Sequence, residues 1–207
     1  MQTEPIYLLR ERLQSPLPGR EAQYRMAHAV RRSHADPPPD ARIACVLALL
    51  YPQRAGWHLA LIERMASNPN DRHGGQISFP GGKQEKDDPS LLFTALRETE
   101  EEIGVPAQGV NVLGELTELY IPVSNFIVHP FVGYLDFTPE FQPQPEEVRS
   151  IVEVPLSLLQ DPTSIQTTDL RLAPNLVLKQ VPYYNVGGKV VWGATAMMLS
   201  ELLEVLG

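Results

Sequence analysis

Arg97-Glu98-Thr99-Glu100-Glu101-Glu102-Ile103-Gly104-Val105 puts four carboxylates into five successive positions. Leading into it, Leu92, Ala95, Leu96, Thr99 and Ile103 recur at spacings of three and four, which draws one stripe along a helix. The spacing predicts a helix over residues 89–103, with Asp88 as its cap, Pro89 in its first turn and Gly104 as its stop. At about 100° per residue, Glu98, Glu101 and Glu102 fall at about 0°, about −60° and about +40° and share a face, while Glu100 points nearly the other way. Like charges so placed repel by roughly a few tenths of a kcal/mol per pair, and no Lys or Arg stands four residues on to relieve them. Two readings follow. The run is a solvated acidic face, or it is an oxygen-rich site for a hard divalent cation that keeps waters and substrate phosphates in its other positions.

Working outward, Phe79-Pro80-Gly81-Gly82-Lys83 reads as a strand end followed by a glycine turn, one short loop before the helix. Strand, loop and helix can therefore form a single site. The apolar run 43–51 and residues 57–62, separated by the turn 52–56, predict a β-hairpin. A short strand is expected at 76–79, further strands at 110–119 and 126–137, a short helix at 155–160, a hairpin of 181–184 with 190–192, and a closing helix at 194–206. Residues 6–13 and 21–32 have helical character, and the segment closes at Asp36-Pro37-Pro38-Pro39-Asp40. We read residues 1–40 as a helical arm packed on the core and 41–207 as the main domain.

The bulk composition narrows the function. A net charge of −8 argues against an extended nucleic-acid surface, where affinity rests on Lys and Arg neutralising phosphates. An anionic substrate would need a local remedy, such as a metal ion or a few placed arginines. The single cysteine, Cys45, lies in the apolar run and allows no intrachain disulfide framework, so it reads as a core thiol. No apolar run approaches the ~20 residues of a membrane helix and the start lacks a secretory pattern, so the expectation is a cytoplasmic protein with no membrane partner. His28, His34, His58, His73 and His129 show no metal-binding spacing, and Ser78 reads as a packing residue.

Gly82, five residues, Asp88, eight residues, then Arg97-Glu98-Thr99-x-Glu101-Glu102-x-Gly104-Val105 resembles the signature box of the Nudix hydrolases. The usual box has Glu after the five-residue gap and one residue fewer before the Arg. The longer box resembles the coenzyme A diphosphatase branch. So do Leu61-Ile62-Glu63-Arg64, Arg72-His73-Gly74-Gly75-Gln76-Ile77-Ser78-Phe79-Pro80-Gly81-Gly82, Glu147-Val148 and Trp192-Gly193-Ala194-Thr195.

This resemblance implies an α/β fold, the α/β/α sandwich with a mixed β-sheet and a loop-helix-loop motif. It also implies Mg²⁺ or Mn²⁺ as cofactor, held by Glu98, Glu101 and Glu102, with Glu101 a ligand or a base. Glu147, expected in a mobile loop after the proline-rich stretch 139–145, would complete the metal site or act as base. Arg97 would serve the catalytic set by holding a loop or a box carboxylate. Arg64, Arg72, Gly81, Gly82 and Lys83 are the candidates for substrate contact. The implied reaction is hydrolysis of coenzyme A to 4′-phosphopantetheine and 3′,5′-ADP, with a homodimer left open. Alternatives are a Nudix hydrolase of ADP-ribose or another nucleoside diphosphate derivative, and a non-catalytic nucleotide-binding module on the same fold.

Overall fold

The structure, a computed structural model, describes residues 4–29, 36–66, 74–173 and 175–207. Its centre is β1 (Arg42–Gln53), which pairs antiparallel with β2 (Gly56–Arg64) through the two-residue connection Arg54-Ala55. On its other side β1 runs parallel to β7 (Phe126–Tyr134). The main sheet runs β3-β2-β1-β7-β5, with β3 (Ile77–Ser78) and β5 (Asn111–Glu115) at its ends; β4 (Gly81–Lys83), β6 (Leu119–Ile121) and β8 (Val148–Pro155) join β1, β7 and β2. One parallel pairing among antiparallel ones makes the sheet mixed, as expected.

The apolar run in β1 is continuous because both faces of the strand are covered. Cys45, Leu47, Leu49 and Tyr51 lie in one cluster with Ala95 and Ile103 of α3 (Leu91–Ile103). Ala48 and Leu50 lie in a second cluster with Ala196, Met197, Leu199 and Leu202 of α5 (Gly193–Leu206). Helices therefore cover both faces of the sheet, giving the α/β/α layering. Beyond it, β9 (Ile165–Ala173), β10 (Leu176–Val186) and β11 (Lys189–Trp192) form a separate antiparallel sheet, with the short helix α4 (Leu156–Gln160) leading into it. No helix among the described residues is long and apolar enough to cross a membrane.

The N-terminal segment packs on the α5 layer. In α1 (Glu4–Leu13), Ile6, Leu9 and Leu13 are buried, and each such burial contributes about 1.5–3 kcal/mol. Arg12 Nη1 donates to the Val205 carbonyl at 2.9 Å, occupying an orphan acceptor at the end of α5. The second helix is shorter than the sequence predicts: α2 covers Gly19–Tyr24 and then turns through Arg25 and Met26. Residues 30–32 of the predicted span lie outside the described residues.

Three local expectations need correction. The cap of α3 is Ser90, whose hydroxyl accepts from the Phe93 N–H at 3.1 Å, so Pro89 precedes the helix and Asp88 is free for another task. Gly104 does stop it, at φ 71°, where an L side chain is strained. Second, Gly81-Gly82-Lys83 is a strand rather than a turn, in register with Val46, Cys45 and Ala44. Third, Glu147 does not sit in a free loop: its carbonyl accepts from the Met65 N–H at 2.7 Å and its N–H donates to Gln144 at 3.1 Å. Gln144 in turn donates to the Glu102 carbonyl at 3.0 Å, so this connection doubles as the C-terminal cap of α3.

Candidate active site

The site is built where β4 lies under α3. Gly81 has φ 144°, and a Cβ there would stand 2.3 Å from the Cys45 carbonyl oxygen, so only glycine lets β4 approach β1 this closely. Its N–H then donates to Glu102 Oε2 at 2.8 Å. A Cβ on Gly82 would stand 2.3 Å from Glu98 Oε2. Gly82 thus clears room for Glu98, while Gly81 lets β4 lie close to β1 and offers its N–H to Glu102, one turn further along α3. Glu102 is 1% exposed.

Burial pushes the Glu102 carboxyl up to about 7, with Glu98 and Glu147 adding to the rise and the Gly81 N–H and Arg64 opposing it. Glu98 is also raised, by burial first, against Arg97 and with Glu101 and Glu147 adding. Glu98, Glu101, Glu102 and Glu147 therefore feel one another's charge across the end of α3 and the connection that caps it. Glu100 points elsewhere and accepts from the Ala107 N–H at 3.0 Å.

Arginines hold this cluster. Arg97 reaches Glu98 at 3.0 Å and Glu101, one turn on, at 2.9 Å. Its other side is gripped by Asp88, which takes Nε and Nη2 at 3.0 Å each and also accepts from Thr94 Oγ1 at 2.8 Å and the Glu85 N–H at 2.9 Å. The Asp in place of the usual Glu is therefore a clamp that fixes Arg97 over the box carboxylates. Arg64 Nη1 stands 3.5 Å from Glu102 Oε1. Lys83 is exposed at the end of β4, and Arg72 and His73 lie outside the described residues.

The Asp88 carboxyl is held well below the usual carboxylate range, chiefly by Arg97. A depressed value in the folded state contributes stability that is present above about pH 4 and is lost as pH falls toward the folded value. Asp88→Asn should cost about 1–3 kcal/mol at pH 7 by urea unfolding, from weakened charge-assisted hydrogen bonds. The difference from the parent should narrow as pH falls below about 4. Equal stability at pH 7 would show that the clamp contributes nothing.

Among the described residues, no three His, Cys, Asp or Glu side chains are arranged to hold a metal ion. The donor chemistry still suits one. Glu102 is a buried carboxylate and Glu98 a partly buried one, their mutual repulsion is relieved by either a proton or a cation, and all-oxygen donors suit a hard divalent ion. Cation binding would compete with Arg97 and Arg64 for these oxygens.

This glycine-lined strand beneath an acidic helix lies within residues 41–176, the span matched by the NUDIX domain profile, and the chain belongs to that family. It is 35% identical over 133 residues to the uncharacterized Nudix hydrolase NudL of Yersinia pestis and of Yersinia pseudotuberculosis, an alignment covering 64% of this chain. The chain spans 65% of the length of those relatives. In structure it is similar to the Nudix hydrolase RenU of M. smegmatis, with a TM-score of 0.52 at 17% identity over 80% of this chain and 85% of that one. It is also similar to a bifunctional NMN adenylyltransferase/ADP ribose pyrophosphatase of Francisella tularensis, with a TM-score of 0.54 at 15% identity over 99% of this chain and 47% of that one. At such identities the structural likeness speaks to the fold alone.

The structure also brings together residues that motif reading passed over. Glu63 accepts from Lys189 Nζ at 2.5 Å, Ser150 Oγ at 3.2 Å and Arg149 Nη1 at 3.3 Å. Lys189 stands in a hairpin with no chemical motif, and only the pairing of distant strands reveals the contact.

Proposed function

We propose that this protein is a metal-dependent Nudix hydrolase that cleaves a diphosphate bond, with coenzyme A as substrate and 4′-phosphopantetheine and 3′,5′-ADP as products. The observation that carries this reading is the pair Glu98 and Glu102 beside Gly81-Gly82, whose affinity for positive charge is raised by the charges of Glu101 and Glu147. Residues 41–207 form the catalytic domain, and the arm 1–40 braces its α5 layer. Glu98, Glu101 and Glu102 would hold Mg²⁺ or Mn²⁺. A bound divalent ion supplies neutralisation of the diphosphate and a more acidic water.

The protein's own groups supply the rest. Arg97, fixed by Asp88, sets the positions of Glu98 and Glu101. Glu147, exposed beside the cluster and fixed by its own backbone hydrogen bonds, takes the proton from the attacking water. Gly81 and Gly82 keep the floor of the site open, and Arg64, beside Glu102, is placed to turn to a phosphate oxygen.

The deciding experiment is mass identification of the products from coenzyme A, ADP-ribose and nucleoside triphosphates, each with Mg²⁺ or Mn²⁺. Coenzyme A should give the two products named above at the highest catalytic efficiency. A higher efficiency on ADP-ribose would overturn the substrate and leave the reaction class; no turnover of any of the three would overturn both. Glu147→Gln should lower kcat by about a hundred-fold with little change in KM, the scale of a lost general base, while Glu146→Gln remains within a few-fold of the parent. Near-parental kcat for Glu147→Gln would remove that residue from the mechanism.

A further inference from the structure

Two stretches far apart in sequence, the one ending in the glycine pair and the one at Trp192, meet at a second feature. A cleft of about 400 Å³ opens between the main sheet and the three-stranded sheet. Glu63, Gln76 and Ile77 line it on the main-sheet side, and Arg171, Lys189 and Trp192 on the other. Thr195, at the start of α5, donates to the Ile77 carbonyl at 3.1 Å and ties the two sides together.

The lining has a chemistry of its own. Two cations against one carboxylate leave a positive excess in a chain of net charge −8. Lys189 is held by Glu63 at 2.5 Å, but Glu63 also has Ser150 and Arg149, so its charge stays partnered when Lys189 turns to another anion. Trp192, half-buried and paired with Tyr183 across the ladder, lines the same cleft as these cations. An aromatic ring next to a lysine and an arginine suits a nucleobase carrying a phosphate: the ring stacks on the base, the guanidinium forks to phosphate oxygens and the ammonium adds a point charge. Glu63 in the cleft wall and Arg64 against Glu102 are consecutive residues of β2 whose side chains point to opposite faces, so the cleft and the carboxylate site lie on either side of that strand.

We propose that this cleft is the specificity site for the phosphorylated adenosine end of the substrate, with Lys189 and Arg171 taking the 3′-phosphate and Trp192 stacking the adenine. The assignment rests on the reading of the protein as a coenzyme A diphosphatase. It gives the 3′-phosphate to groups other than the substrate-contact candidates Arg64, which pairs with Glu102, and Lys83, which stands on β4.

The probes are 3′,5′-ADP and 5′-AMP, which differ only in the 3′-phosphate, titrated calorimetrically into the full chain without added divalent ion. The parent should bind 3′,5′-ADP at least about ten-fold more tightly than 5′-AMP, the scale of one charge-assisted hydrogen bond. Lys189→Ala should remove most of that preference and leave 5′-AMP binding unchanged, and Arg171→Ala should reduce the preference. Lys179→Ala, an exposed charge on the same sheet, should keep it. Lys189→Met, which preserves the stem that packs in the cleft, carries the test should the alanine variant fail to fold. In turnover, Lys189→Met should lower the efficiency ratio of coenzyme A to dephospho-coenzyme A through KM. A parent with no preference for 3′,5′-ADP, or Lys189 and Arg171 variants that retain it in full, would overturn the cleft assignment even if coenzyme A is hydrolysed. The preference and its loss in Lys189→Met, found in a protein that does not cleave coenzyme A, would support the cleft and overturn the diphosphatase reading instead.

Discussion

Glu98→Gln and Glu102→Gln are each expected to lower turnover by roughly two to three orders of magnitude while leaving the protein folded, the scale seen when one preorganised electrostatic contact to a reacting group is removed. The substitution keeps the shape and deletes the charge. Glu98 is closed in by Gly82 and Glu102 is buried, so an isosteric amide refills the same space, and for Glu102 the amide oxygen can still accept from the Gly81 N–H. Replacing a buried carboxylate by a neutral group also removes a desolvation cost, so the melting temperature should not fall. A lost activity beside an unchanged or higher melting temperature is the pattern of a site that trades stability for function. Mn²⁺ binding, followed by electron paramagnetic resonance, should weaken in parallel with turnover. Glu100→Gln, whose side chain serves only the Ala107 N–H, should bind Mn²⁺ and turn over like the parent. If Glu98→Gln and Glu102→Gln do the same, the metal assignment falls.

The parts of this molecule that were legible in sequence are those where burial or strong punctuation leaves a periodic mark. The β1–β2 hairpin reads off its apolar run because β1 is covered on both faces, and α3 reads off its stripe because one side rests on Cys45, Leu47 and their neighbours. By contrast β9 is exposed along nearly all of Ile165–Ala173. Its order comes from backbone pairing with β10, which leaves no alternation of apolar and polar residues to read. The strand β4 was hidden for a different reason. A glycine pair signals a turn in sequence, but here the missing Cβ atoms allow a backbone to lie against Cys45 and under Glu98.

The same division holds in the site. The carboxylates of α3 share a face by helical geometry alone, so their grouping was legible. What each one touches was not, because Asp88, Arg64 and Glu147 reach the cluster from separate connections. The Glu63–Lys189 pair joins the two sheets across 126 residues, and no local pattern announces a contact of that range.

Glu201 shows the limit most sharply and gives the largest expected effect on stability. In Gly193–Leu206 it reads, with Glu204, as one of two charged positions on a largely apolar helix, the kind that faces water. It is instead 0% exposed and accepts four hydrogen bonds, all from neutral donors. Its Oε1 takes the Gly19 N–H at 3.2 Å, the Thr117 N–H at 3.2 Å and Thr117 Oγ1 at 2.6 Å. Its Oε2 takes Gln23 Nε2 at 2.8 Å. One side chain thus joins the start of α2, the connection between β5 and β6, and α5. Glu201→Ala would leave the Gly19 and Thr117 donors without this acceptor and Gln23 Nε2 with the Thr117 carbonyl alone, at 2.7 Å, and would open a void beneath the arm. Buried donors stripped of their partner cost about 1–3 kcal/mol each when water cannot replace it, and partial rehydration brings the expected total to about 3–5 kcal/mol. In a chain of this size that is a fall of roughly 6–20 °C in melting temperature. Glu201→Gln should cost less, because its carbonyl oxygen still accepts while its amide turns two donors toward each other. Since Glu201 lies on the face of the sheet opposite α3, kcat of the molecules that remain folded should match the parent. Limited proteolysis should open the arm near residues 14–18 before the rest of the chain. A Glu201→Ala protein that melts at the parental temperature with its arm equally protected would mean that water replaces the carboxylate at no cost, and that the packing of Ile6, Leu9 and Leu13 with contacts such as Arg12 to the Val205 carbonyl is enough to hold the arm.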